Sequence, residues 1–218
     1  MDYWKLITLL LKSTGVTVSL FVIIIVASLP LGMLLTLTSR CKFKPVSWLS
    51  RAYIFVVRGT PLMLQLLFLY FGVPFIPIIG EYIAINDRFA AAAVAFSLNY
   101  AAYFAEIFRG GLLAVDKGQY EAASVLGYNK NQTFFRIIFP QMVKRVLPPV
   151  TNEVITLVKD TSLAFVLAYE EMFTVAKQIA SARTSIMPLF VAGVFYFIFN
   201  GVVAFAMERI EKKLSYYH

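Results

Sequence analysis

Few side chains in this 218-residue sequence are equipped for chemistry in an apolar setting. Glu153 and Asp160 stand seven residues apart, with Thr156 between them. On a helix, at about 100° per residue, the three share one stripe with Pro149 on its edge. The carboxylates are then separated by roughly 10 Å along the axis. Such a face can accept an ammonium group, and a second cation at the far end of the same small ligand. Two other readings stay open: Asp160 pairs with a neighbouring subunit's lysine or sits at a helix break near water, and Glu153 lies at a membrane interface. Gln65 and Asn99 are each polar within an otherwise apolar run, which fits ligand contact or hydrogen bonding between helices. Arg58 fits an ion pair better than a carboxylate receptor, and Glu106 with Arg109 fits a gate or a surface pair. Other chemistries have no material. His218 is the only histidine and Cys41 the only cysteine. No metal cluster or nucleophile with a nearby base can be built from them. Nothing matches G-x-x-x-x-G-K-[ST], so the chain has no phosphate cradle of that kind.

The elements that must position these residues are apolar. The chain is 60% hydrophobic and 15% charged, against about 45–50% and 25% for a soluble domain. Runs at about 16–38, 52–72, 89–108, 150–168 and 186–207 approach the roughly 20 residues needed to cross a bilayer. They predict five transmembrane helices in one all-α integral membrane domain spanning 1–218. The first run lacks a small-x-small cleavage site and reads as a retained span. Pro30 and Gly32 can kink it, and Lys159-Asp160 interrupt the fourth. Residues 72–86, with Pro74, Pro77 and Gly80, read as a loop with an interfacial piece. Phe195, Tyr196, Phe197 and Phe199 read as lipid-facing, and Met33, Met63, Met142 and Met187 as packing.

Positive charge orients the spans. Five crossings place Arg40, Lys42, Lys44 and Arg51 on the same side as Arg109, Lys117, Lys130, Arg136, Lys144 and Arg145, and as Arg209, Lys212 and Lys213. The opposite side collects only Lys5, Lys12, Arg88, Lys177 and Arg183. The positive-inside rule then puts the loop 109–149 and the C-terminus in the cytoplasm and the N-terminus outside.

That loop contains YEAASVLGYNKNQTFFRIIFP, from Tyr120 to Pro140. Glu121, Ala122 and Ala123 favour helix, and Gly127 can take the left-handed conformation that ends one. A second short helix over 130–138 is expected to stop at Pro140. Two short helices meeting at a glycine make a knob that a partner's groove can grip.

This stretch resembles the EAA loop of the membrane subunits of bacterial ABC importers. The family pattern is matched by Glu121-Ala122-Ala123, by Gly127 after three intervening residues, and by Ile137 and Pro140 beyond it; Phe139 stands where the family usually has leucine. Arg58-Gly59-Thr60-Pro61, Asn99-Tyr100-Ala101-Ala102-Tyr103 and Lys159-Asp160-Thr161-Ser162-Leu163 resemble the polar amino acid subgroup. The resemblance implies a type I importer permease in a bacterial inner membrane, taking a polar L-amino acid inward. It implies two permease subunits side by side, a homodimer being favoured over a heterodimer because one chain carries both the acidic stripe and a complete EAA loop. It further implies two separate ATPase subunits holding ATP and Mg and docking on the EAA loop, and an extracytoplasmic solute-binding protein. No cofactor is expected on this chain, which is not itself an enzyme. The alternative is a self-sufficient secondary amino acid transporter. The absence of an internal inverted repeat argues against it.

Overall fold

The computed structural model describes residues 3–214, so His218 lies outside the described residues. Among the described residues the regular structure is helical throughout. The first helix, α1 (Tyr3–Ser39), starts well before the expected first run at about residue 16, with Pro30 inside it. A tight turn leads to α2 (Lys44–Arg58), whose first turn holds Pro45, a position where a missing N–H costs nothing. The expected second span is not one straight helix. After Arg58 the chain breaks and resumes as α3 (Leu62–Leu67), then winds through a wide turn, Phe68–Gly72, and a tight one, Val73–Phe75. The two halves are bent by 110°. Pro61 explains the break, since it restricts Thr60 and cannot donate back to α2.

A short α4 (Gly80–Ile83) precedes α5 (Arg88–Ala114), which is capped by Asp87 accepting from Ala90 N at 2.7 Å. The central element is α5, buried over most of its length. Its alanines let α1 approach closely: a Cβ on Gly32 would lie 2.8 Å from Phe104 Cβ and 3.0 Å from the Ala101 carbonyl. Thr36 of α1 donates to the Ala105 carbonyl at 2.9 Å. Small residues and interhelical hydrogen bonds are how helices hold together where lipid removes the hydrophobic drive.

The remaining elements are α6 (Lys117–Val125), α7 (Lys130–Thr133), a π-helical turn (Phe134–Ile138), α8 (Phe139–Asp160), a 3-10 segment (Thr161–Leu167), α9 (Met172–Arg183) and α10 (Met187–Leu214). One expectation is overturned here. Pro140 does not end a helix; it lies in the first turn of α8. The wide turn before it carries the Phe139 N–H back to Phe134 O, so the hydrogen-bond ladder is re-routed just where proline would have broken it. The expected loop 109–149 is therefore largely helical, entered by α5 and left by α8. The helix that carries the expected fourth span, α8, begins at Phe139 rather than near residue 150 for the same reason.

By length and composition α1, α5 and α10 can cross a membrane, and the bent α2–α3 pair makes a fourth if taken as one broken span. The long α8 carries Lys144, Arg145, Glu153, Lys159 and Asp160, too many charges to qualify by composition alone. The aromatic run on α10 needs correction as well. Phe197 is exposed, but Phe199 packs edge-on against Phe21, and Tyr196 turns inward.

Candidate transport and coupling sites

Helix α5 organises the polar groups of the interior. Asn99, 3% exposed, donates from Nδ2 to Gln65 Oε1 at 2.9 Å. The next residue, Tyr100, points to a different element and donates to Asp160 Oδ2 on α8 at 2.8 Å. Two consecutive residues thus tie α3 and α8 to α5 at one height. Gln65 also repairs the α2–α3 break: its Nε2 donates to the Val57 carbonyl and to Thr60 Oγ1, both at 2.8 Å.

The acidic stripe is helical throughout, as α8 runs unbroken from Glu153 to Asp160. Both carboxylates are half-buried. Thr156 is spent locally, its hydroxyl donating to the Asn152 carbonyl at 2.9 Å. The structure joins Asp160 to α5 through Tyr100 and joins Gln65 to Asn99, while Glu153 sits about two turns away along α8. Arg58 lies 3.9 Å from Glu106 and over the Tyr103 ring, 5.6 Å from its centroid. Arg109 grips Glu106 with two contacts, at 2.9 Å from Nε and 2.5 Å from Nη2.

Two functional-looking residues were given no role from sequence. Tyr100 looks like packing in an apolar run, and only its geometry reveals the bond to Asp160. Glu171 falls in what reads as a polar loop, yet it is 0% exposed. It caps α9 by accepting from Phe173 N and Thr174 N, at 2.8 and 2.6 Å, and accepts also from Thr174 Oγ1 and Tyr196 Oη. Burial lifts its pKa above the ordinary carboxylate value, the larger effect, while these hydrogen bonds pull it down. No ordinary cap signal marks it in the sequence, since glutamate is not among the usual N-cap residues.

The EAA stretch forms a compact projection. Asp116 caps α6 by accepting from Gly118 N, and Asn129 with Gln132 makes a reciprocal capping box on α7. Gly127 joins them at φ +76°. Tyr128 N and Gly127 N return to the carbonyls of Ala123 and Ser124, both at 3.0 Å. Ala123 is buried, whereas Glu121 and Ala122 face outward. Val125 and Leu126 are 88% and 73% exposed. Ile137 is half-buried and Pro140 exposed at the base, where Gln141 donates to Gln119 at 2.9 Å.

Residues 28–216 match the family described as "Binding-protein-dependent transport system inner membrane component". The chain is 37% identical to the arginine transport system permease protein ArtQ of Bacillus subtilis (strain 168), covering 96% of this chain and 94% of that one. It is 36% identical to the putative glutamine transport system permease protein GlnP of Rickettsia felis, covering 97% and 95%. Among solved structures, one described as an amino acid ABC transporter with histidines superposes with a TM-score of 0.85 at 28% identity, covering 98% of this chain and 99% of that one. The MetNI methionine ABC transporter in an inward-facing form superposes at 0.73 with 19% identity, which speaks to fold. The chain belongs to the family of inner membrane components of binding-protein-dependent transport systems. It is a multi-pass, non-catalytic permease subunit of an ABC importer, and ATP is hydrolysed on a separate ATPase.

Proposed function

We propose that this subunit carries a polar amino acid with a cationic side chain inward across a bacterial inner membrane, along a path lined by α8 and α5. The observation that carries this reading is Asp160: a carboxylate in the apolar interior, held by Tyr100 and sharing a helix face with Glu153. A relative named for arginine transport supports it. Glu153 and Asp160 receive the two positive groups of the ligand. Thr156, Gln65 and Asn99 complete the polar lining.

The bent α2–α3 pair and α8 supply two spans beside α1, α5 and α10, giving five with the N-terminus outside and the C-terminus in the cytoplasm. Two copies of this chain form the pore. The exposed Glu121, Ala122 and Val125–Leu126 edge docks on each subunit of an ATPase dimer that holds ATP and Mg, and a solute-binding protein delivers cargo from outside. ATP binding closes the ATPases, the projection moves with them, and the site changes the side on which it is open. This is a biased two-state element rather than a covalent mechanism.

The test is ATPase activity of the reconstituted assembly with each amino acid presented by the binding protein. Stimulation by arginine or lysine, lost in Glu153→Ala and Asp160→Ala, is expected. Stimulation by glutamine or cystine that both substitutions leave intact would overturn the acidic site.

A further inference from the structure

A second charged cavity lies away from the acidic stripe. It is a cleft of about 610 Å³ between α2 and α5, reaching Ser39 and Arg40 at the turn from α1 to α2 and Leu113 near the end of α5. Four guanidinium groups line it, from Arg40, Arg51, Arg58 and Arg109, with one carboxylate, Glu106. Arg109 and Arg58 share that carboxylate. Arg51 donates only to neutral acceptors, the Ser47 carbonyl and hydroxyl at 3.3 and 2.6 Å. Among the described residues no carboxylate pairs with Arg40 or Arg51. The cleft therefore holds an uncompensated positive charge spread along its length.

Its surroundings are apolar in a particular way. Phe55 lines it at 81% exposure, and Trp48 and Leu49, on the preceding turns of α2, are 71% and 64% exposed. Tryptophan beside basic residues marks the level of lipid headgroups. Arginine forks match phosphate oxygens, and basic pockets between membrane helices take anionic headgroups. We propose that this cleft binds an anionic phospholipid, its phosphate held by Arg40 and Arg51 and its acyl chains lying along Phe55.

The full-length chain, purified alone and assembled with its ATPase, is titrated with phosphatidylglycerol, phosphatidylcholine or inorganic phosphate, and bound ligand is counted by native mass spectrometry. Selective retention of phosphatidylglycerol in both preparations is expected. Arg40→Gln/Arg51→Gln is expected to weaken it by roughly thirty-fold, from two lost charges. Arg40→Lys/Arg51→Lys, which keeps the charge, is expected to retain most of the binding and reports if the glutamine pair has simply unfolded. Lys12→Gln/Lys177→Gln controls for net charge and should bind as the parent does. Equal binding of the two lipids overturns the proposal, as does phosphatidylglycerol binding that survives in the glutamine pair. Competition by inorganic phosphate would make the ligand a free anion. Binding to the isolated chain but not to the assembly would mean that a second subunit fills the cleft.

Discussion

At the level of single residues the interior depends on a few polar contacts that are partly shielded from solvent. Tyr100 is the plainest case. Removing its hydroxyl in Tyr100→Phe leaves Asp160 without a donor from α5. A hydrogen bond to a charged group contributes about 1.5–3 kcal/mol, so the amino acid concentration for half-maximal ATPase stimulation should rise by about ten-fold or more. An unchanged value would mean that Asp160 does not meet cargo. Glu171 serves stability instead. Because burial raises its pKa in the fold, the native state keeps that proton to higher pH than the unfolded chain does. The native state then binds more protons, so this group's contribution to stability falls as pH climbs from the ordinary carboxylate value through the raised one, and is level above it. Melting temperatures of the parent protein, followed upward from the ordinary carboxylate range, should show that fall, and Glu171→Gln should lose it. Parallel profiles for parent and variant would contradict this.

Helices were legible in the sequence as apolar runs, but the caps at Asp87, Asp116 and Asn129 emerged only from the structure. Two of the joints between helices were not legible. The start of α8 was hidden because proline ordinarily stops a helix, and only a wide turn at Phe134–Ile138 lets the chain pass through Pro140. The bend after Arg58 was hidden because hydropathy does not register direction. Of the candidate site, the Glu153–Asp160 stripe could be read from spacing alone. The partners of Asp160 and Gln65 could not, since they lie 60 and 34 residues away in the chain. The joint at Gly127 was legible, because few other residues tolerate a positive φ. A β-branched side chain there costs about 1–2 kcal/mol in that conformation. We therefore expect Gly127→Val to fold, to keep basal ATPase activity in the assembly, and to lose stimulation by cargo. A parental ratio of stimulated to basal activity would remove α6–α7 from the coupling path.

For the whole molecule the contact between α1 and α5 sets how tightly the subunit is built. Gly32→Leu must force the helices apart, at about 1–3 kcal/mol for overpacking, and should lower the melting temperature in detergent. Gly15→Leu, with nothing within 4 Å of its added Cβ, should not. Equal melting of the two variants would place α1 elsewhere. Orientation has its own probe, because Cys41 at the α1–α2 turn is the only cysteine in the chain. A membrane-impermeant maleimide should label it in inverted vesicles and spare it in intact cells. The opposite pattern would reverse the topology.

Asn99 and Tyr100 have one more consequence, a kinematic one. Successive residues leave a helix about 100° apart, so the bonds to Gln65 and Asp160 hold α5 from two sides at a single level. Rolling α5 about its own axis in either direction stretches both bonds together. Tilting it about that level stretches neither. In the proposed transport cycle the motion these two bonds leave free is a tilt of α5 against α3 and α8 with its fulcrum at Asn99–Tyr100, and displacements between these helices should grow with distance from that level.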